Sequence, residues 1–414
     1  MSRRTVLIVG ASVAGVHAAR TLRAQGHDGR IVLAGAEAQL PYDKPPLSKQ
    51  FLSGDGDPER VRLLTEDEAR DLRIELRLGT AAVGLDPAER EVRFDDGQAC
   101  RYDVCVIATG AAARPSPWPV DSGLHHLRSL ADGTALRADL RRGGHVVIIG
   151  AGFIGAETAA TARALGCEVT VVDPNPVPME RVLGPELGEL CIALHGRHGV
   201  RTRFGRAVTS VTGTAGDLAV TLDDGEVLRA RTVVVGIGAV PNDGWLAGSG
   251  LRPADGVLCE EHGRAVGAED VFAVGDVARW FHPGRGEHLR IEHWTNAVDQ
   301  AALVAHNILH PDTLRTHVPV EYVWSDQYDW KIQIVGRPST AALHTVIGEF
   351  GANARGAALF TDGDGRLSAA VTVNWPRALV ECRRLVADAG RLDAAAQRLG
   401  AVAHPPVLNS GAAS

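Results

Sequence analysis

One pattern occurs twice in this chain, and few folds can hold it. A β-branched run at 5–9 leads into Gly10-Ala-Ser-Val-Ala-Gly15, an alanine-rich stretch at 16–25, an apolar run at 30–33 and an acid, Glu37. The same order recurs at 145–149, Gly150-Ala-Gly-Phe-Ile-Gly155, 156–165 and 168–172, with Asp173 as the acid. Strand, glycine turn, helix, strand and an acid about 20 residues past the glycines together make a dinucleotide-binding unit. The first glycine turns tightly and the second lets backbone approach a pyrophosphate. The third lets helix and strand pack closely, the helix N-terminus faces the anion, and the acid accepts hydrogen bonds from a ribose. The first copy carries Ser12, the smallest polar replacement, where the second glycine belongs. Gly10 and Gly15 could also serve as plain turn residues of an α/β sheet, but both flanks fit the binding unit.

In the second copy, Asp173 is followed by Pro174, Asn175 and Pro176, and no basic residue appears before Arg181. A site for the 2′-phosphate of NADPH ordinarily places a basic group there, so NADH is expected. Two further apolar runs stop at glycine: 102–107 at Ala108-Thr109-Gly110, and 232–235 at Gly236-Ile-Gly238, ahead of Asn242. Both read as buried strands ending in loops of close approach. A short run at 270–274 ends in Gly275-Asp276, where an aspartate could hydrogen-bond a polyol or simply close a turn.

Several classes of protein are excluded by composition. The 414 residues suggest two to four domains. Hydrophobic residues at 45% and charged residues at 22% are incompatible with a mainly disordered chain. A net charge of −7, with no basic stretch interleaved with aromatics, gives nucleic acid nothing to bind. No apolar run approaches the ~20 residues of a membrane span. The N-terminal run is too short for a signal-peptide core, so a cytoplasmic protein is expected. The six cysteines lack metal-type pairs, and His125-His126 and His195-Gly-Arg-His198 match no metal motif, so no metal is expected. Cys100 and Cys105 read as two positions on one strand, roughly 16 Å apart along it. That is beyond the ~7 Å limit for a disulfide, and 41–52 holds no cysteine, which argues against a dithiol reductase.

More specific segments carry a resemblance. They are Leu40-Pro-Tyr-Asp-Lys-Pro-Pro-Leu-Ser-Lys49, Gly152-Phe-Ile-Gly155-Ala-Glu157, Arg290-Ile-Glu-His-Trp294-Thr-Asn-Ala297, Val323-Trp-Ser-Asp-Gln-Tyr-Asp329 and Val373-Asn-Trp-Pro-Arg-Ala378. With the two fingerprints, they resemble the FAD-dependent, NADH-utilising ferredoxin reductases of oxygenase systems, the putidaredoxin reductase-like family, over residues 5–385. The resemblance implies an α/β fold of two Rossmann-like dinucleotide-binding domains, for FAD and NADH, with a C-terminal α+β domain. The expected divisions are 1–112 and 243–320 for FAD, 113–242 for NADH, and 321–414 for the C-terminal domain.

The resemblance also assigns site residues. FAD would lie over Gly10, Ser12, Val13, Ala14 and Gly15, with its ribose on Glu37 and its adenine by the Ala82 backbone. Lys44, where the family has arginine, and Arg128 would reach phosphate, though lysine lacks the planar fork of arginine. Ala108, Thr109 and Gly110 would line the same site, Asp276 would bind the ribityl chain, and Lys49, Glu292, His293, Trp294 and Trp324 would lie by the ring. NADH would take Gly152, Ile154, Glu157, Asp173, Arg181 and Gly238. Lys49 and Glu157 are the expected catalytic pair: Lys49 would neutralise charge on reduced flavin, and Glu157 would pair with it or hold the nicotinamide amide. An ordinary ion pair, and core roles for the two tryptophans, are the plainer alternatives.

The implied partner is an iron–sulfur ferredoxin. Through it the electrons would reach an oxygenase, either a haem-thiolate monooxygenase or a ring-hydroxylating dioxygenase. The protein is expected to act as a monomer. The ferredoxin would meet basic residues such as Lys331, Arg337 and Arg377. Rubredoxin reductase, and a flavin/NADH-binding sensor, are the competing readings.

Overall fold

The computed structural model describes residues 4–251, 254–338 and 342–399. The chain forms two compact units: Met1–Pro46, Asp57–Arg114 and Ala239–Pro319 make the first, and Leu47–Gly56, Pro115–Gly238 and Val320–Ser414 the second.

The first unit is built on a five-stranded parallel sheet. Its order is Val271–Ala273, Val104–Ile107, Val6–Val9, Ile31–Gly35, Ile74–Leu78. Each of Val6–Val9, Val104–Ile107 and Ile31–Gly35 is buried along its whole length, as a parallel sheet covered on both faces requires. Helices Val13–Ala24 and Trp294–Leu309 pack together beside this sheet and share its core. An antiparallel sheet (Ala82–Asp86, Glu91–Phe94, Ala99–Arg101) and a second (Val257–Cys259, Ala278–His282, Glu287–Arg290) complete the unit, the outer pairing Val257–Cys259 with Ala278–His282 being parallel.

The second unit repeats the plan with Arg201–Phe204, Glu168–Asp173, His145–Ile149, Thr232–Val235 and Leu124–His125, again all parallel. Its C-terminal part is a five-stranded antiparallel sheet: Tyr322–Gln327, Trp330–Gly336, Leu367–Val373, Gly356–Thr361, Ala342–Gly348. Met179, Leu183, Leu187, Cys191 and Leu194 share one apolar core with Trp330, Ile332, Phe360 and Val371 of that sheet. This common core joins the second nucleotide fold and the C-terminal sheet in one compact unit.

In both parallel sheets the connection reverses direction beside the first strand, at Val6–Val9/Val104–Ile107 and at His145–Ile149/Thr232–Val235. Open α/β sheets bind ligands in the crevice outside the strand ends at such a reversal.

Two details depart from the sequence reading. Both loop helices begin earlier, at Val13 and Phe153, because Ser12 and Gly152 are the N-caps and the third glycine already lies in the first turn. Cys100 and Cys105 lie on two strands of different sheets, not on one. The chain breaks between them at Tyr102 and Asp103, where the Asp103 carboxylate accepts the Thr5 N–H at 2.7 Å. At the edge of the C-terminal sheet, the pairing of Ala342–Gly348 carries a register shift between Leu343 and Thr345.

Candidate functional site

Steric exclusion shapes each glycine loop. Gly10 has φ +125°, and a Cβ there would sit 2.0 Å from the Ala108 carbonyl oxygen. A Cβ on Gly15 would sit 1.9 Å from the Gly10 oxygen. In the second loop, Gly150 (φ +105°) meets the Gly236 oxygen at 2.3 Å, and Gly155 meets the Gly150 oxygen at 1.9 Å. The middle position differs. A Cβ on Gly152 would find nothing within 4 Å, so the space before the helix N-terminus is open. Ser12 holds the same position with φ −120° and makes no side-chain cap bond. The first N–H groups of a helix have no acceptor within it, so those of Val13, Ala14 and Gly15, and of Phe153 and Ile154, are available to a phosphate. Both loops therefore fit a dinucleotide pyrophosphate.

Around the first loop, Thr109 Oγ1 donates to the Asn242 carbonyl at 2.8 Å, and Asn242 Nδ2 donates to the Thr109 carbonyl at 2.9 Å. This ties Ala108-Thr109-Gly110 to the returning strand. Glu37 is exposed beyond the second strand, where it accepts the Tyr42 hydroxyl at 2.5 Å and Lys44 Nζ at 3.3 Å. Lys44 thus pairs with the acid expected at the ribose. Ala82 opens its strand opposite Phe94. Gly275, at φ +75°, donates its N–H to Gln300 Oε1 at 2.8 Å, and a Cβ on it would lie 3.1 Å from Ala14. Asp276 therefore follows a turn pressed against the first loop helix. Glu292 pairs with Arg290, and His293 stands at the N-cap position of the helix that starts at Trp294, with no side-chain capping bond. The Trp294 indole donates to Asp43 at 2.9 Å and meets the His17 ring edge-on. Burial, with Arg20 nearby, lowers the His17 pKa.

Lys49, Arg128 and Trp324 belong to the second unit, as do Gly152, Ile154, Glu157, Asp173 and Gly238. The most closely bonded group is centred on Glu157, in the helix Phe153–Ala164, with its side chain 3% exposed. Its Oε2 accepts Ser48 Oγ at 2.5 Å and Lys49 Nζ at 2.8 Å, and its Oε1 accepts Ser325 Oγ at 2.7 Å. One turn on, Thr161 donates to the Ser48 carbonyl at 2.8 Å and anchors the segment that carries Lys49. Alternation along Tyr322–Gln327 sends Ser325 and Gln327 to one face and Tyr322 and Trp324 to the other. Trp324 and Tyr322 stack with centroids 6.0 Å apart.

Asp173 ends its strand with both carboxylate oxygens in use: Oδ2 accepts the Ala151 N–H at 2.7 Å, and Oδ1 accepts the Asn175 backbone and side-chain N–H groups, each at 2.8 Å. It therefore braces the glycine loop. Ile154 is 42% exposed on the first turn of its helix, and Gly238 has φ +104°. Arg128 precedes a helix closed by a Ser129–Asp132 capping box. The Arg181 side chain lies outside the described residues.

All six cysteines are buried free thiols. Burial raises the pKa of each, that of Cys191 to about 12, so none offers a reactive thiolate. Among the described residues no helix is long and apolar enough to cross a membrane, and no three His, Cys, Asp or Glu side chains cluster to hold a metal.

Two nucleotide-loop folds in one chain, with a lysine bonded to a buried glutamate at the second, define a two-dinucleotide oxidoreductase. Residues 4–301 match the pyridine nucleotide-disulphide oxidoreductase family, and 322–401 the reductase C-terminal domain. The chain belongs to that family. It is 38% identical to the ferredoxin–NAD(+) reductase component of the anthranilate 1,2-dioxygenase system of Burkholderia cepacia, covering 94% of this chain and 95% of the relative. Among solved structures, the ferredoxin reductase for the CYP199A2 system from Rhodopseudomonas palustris matches with TM-score 0.85 and 36% identity, covering 90% of this chain and 91% of that one. The covalent putidaredoxin reductase–putidaredoxin complex matches with TM-score 0.89 and 30% identity, covering 96% and 98%. These matches bear out the resemblance found in the sequence.

Sequence reasoning did not single out Ser48, Thr161, Ser325 and Gln327, which gather around Glu157 and its helix. Ser48 and Ser325 stand inside the Pro-Leu-Ser-Lys and Trp-Ser-Asp-Gln segments, which were the available signal.

Proposed function

We propose that this chain is the NADH-oxidising, FAD-dependent reductase of an oxygenase system, passing single electrons to an iron–sulfur ferredoxin in the cytoplasm. The observation that carries the reading is the bond of Lys49 to the buried Glu157, in a chain whose six cysteines are all buried free thiols. With no exposed dithiol to act as a relay, the electrons need an acceptor outside the chain. FAD, when bound, supplies the conversion of a two-electron donor into two one-electron transfers.

The chain's residues bind, orient and screen. Residues 1–112 and 243–320 hold FAD through Gly10–Gly15, Glu37, Ala82, the Ala108–Gly110 turn and Asp276. Residues 113–242 hold NADH through Gly152, Ile154, Asp173 and Gly238. Lys49 would offset negative charge on reduced FAD. Glu157 Oε1 has room for one more donor, and the nicotinamide amide N–H suits it. The burial of Ser48, Ser325 and Gln327 keeps water from this carboxylate. Residues 321–414 form the C-terminal domain that bears Trp324 and the basic positions facing the partner.

The test is anaerobic turnover of the FAD-loaded protein with NADH and a [2Fe–2S] ferredoxin, beside parallel assays with small disulfides. Catalytic ferredoxin reduction with inert disulfides is expected. Disulfide turnover would contradict the reading. Flavin that NADH reduces but that reduces no ferredoxin or rubredoxin would favour a sensor, and turnover with rubredoxin alone would move the assignment to a rubredoxin reductase.

A further inference from the structure

We infer that Ser325 is a positioning residue for Glu157: its hydroxyl, itself oriented by Gln327, fixes the free acceptor position of the carboxylate toward the nicotinamide. The inference rests on the role given to Glu157 under Proposed function.

An ionised carboxylate offers about four acceptor positions. On Glu157 the described residues fill three: two on Oε2, from Ser48 and Lys49, and one on Oε1, from Ser325. The fourth lies on Oε1, and Ser325 sets its direction. A serine hydroxyl has one proton to give. Gln327 Nε2 donates into Ser325 Oγ at 3.1 Å, which occupies a lone pair and directs that proton to Glu157. Gln327 is itself fully buried, with its amide against Met179 Sδ at 3.7 Å. The hydrogen bonds therefore run in one direction, from Gln327 to Ser325 to Glu157. Without Ser325, Oε2 stays tethered by Ser48 and Lys49 while Oε1 is free to tilt about that anchor. Ser325 needs no contact with the nucleotide to act, because its effect passes through the carboxylate.

The test is anaerobic stopped-flow reduction of the FAD-loaded protein over a range of NADH concentrations, with flavin content and thermal midpoint measured on each variant. For Ser325→Ala the limiting reduction rate is expected to fall about tenfold, the size of one hydrogen bond to a charged group. The apparent NADH affinity should stay within about threefold, since the loss lies in orientation. Ser325→Thr keeps the hydroxyl and should restore the rate to within about threefold. Gln327→Met leaves the serine but removes its orienting donor, and should slow reduction about threefold. It also keeps the test decisive if Ser325→Ala fails to fold. A wild-type rate in Ser325→Ala, or in Gln327→Met, would overturn the inference. So would loss of affinity at an unchanged limiting rate, or equal loss in the Ala and Thr variants. If NADH does not reduce the wild-type flavin, the proposed function fails instead, which separates the two failures.

Discussion

Glu157 shows what a single residue carries here. Its carboxylate is buried, and Lys49 and two serine hydroxyls surround it. Glu157→Gln keeps the shape but turns an NH2 group toward donors and removes the carboxylate charge beside Lys49. That change is expected to cost about 3 kcal/mol of stability and to slow NADH reduction of the flavin at least tenfold; chemical denaturation and stopped-flow absorbance measure the two effects. Unchanged values in both would mean the pair is ornamental. The sequence made Lys49 and Glu157 legible, because each stands in a recognisable segment. It could not show the cage, whose serines lie 109 and 168 residues from Glu157 along the chain. Local motifs can be read in isolation, whereas their meeting depends on tertiary packing.

At the scale of elements, the glycine loops were the most legible part, because backbone collisions within a few residues define them. Two substitutions in one loop separate folding from binding. Gly155→Ala would drive a Cβ to 1.9 Å from the Gly150 oxygen, so a loss of several degrees in thermal midpoint, or failure to fold, is expected. Gly152→Ala meets nothing in the chain and has φ −76°, a value any residue adopts. It should fold with an unchanged midpoint yet raise the KM for NADH severalfold, because the added methyl takes the space proposed for the pyrophosphate. Equal thermal shifts in the two variants would refute this division. The same geometry explains why Ser12 is accommodated in the first loop: the middle position is not sterically closed by the chain. Less was legible where periodicity breaks. The break at Tyr102 and Asp103 hid the separation of Cys100 and Cys105 onto two sheets, and a register shift obscured the edge strand Ala342–Gly348.

At the scale of the whole molecule, one buried histidine in each unit sets a pH dependence. Burial lowers the pKa of His195, with a smaller push from His198, and that of His317, with a push from His282, each from 6.5 to about 4. The unfolded chain binds these protons from about pH 6.5 downward and the folded chain only near pH 4. Stability is therefore whole above pH 6.5 and falls between pH 6.5 and 4, by about 2 kcal/mol per histidine at pH 5. Thermal midpoints at pH 7 and 5 measure it, and His195→Asn should flatten part of the slope; equal midpoints at both pH values would contradict the assignment. The proposed docking of an acidic ferredoxin also turns on charge. Arg377 is exposed with no ion pair among the described residues, Lys331 lies 3.9 Å from Asp326, and Arg337 is held by Glu321 at 2.6 Å. Arg377→Glu is therefore expected to raise the KM for an acidic ferredoxin about tenfold at low salt while sparing ferricyanide reduction, and Arg337→Glu also disturbs its own pair. Equal losses with both acceptors would remove Arg377 from the docking surface.

Hydride transfer from NADH is the step on which every role above depends. It is tested most directly by mixing the FAD-loaded protein anaerobically with NADH, and separately with NADPH, and following flavin absorbance. Rapid bleaching by NADH, with NADPH slower by an order of magnitude or more, is the expected result. Flavin that stays oxidised with both nucleotides, or that NADPH bleaches equally fast, would contradict it.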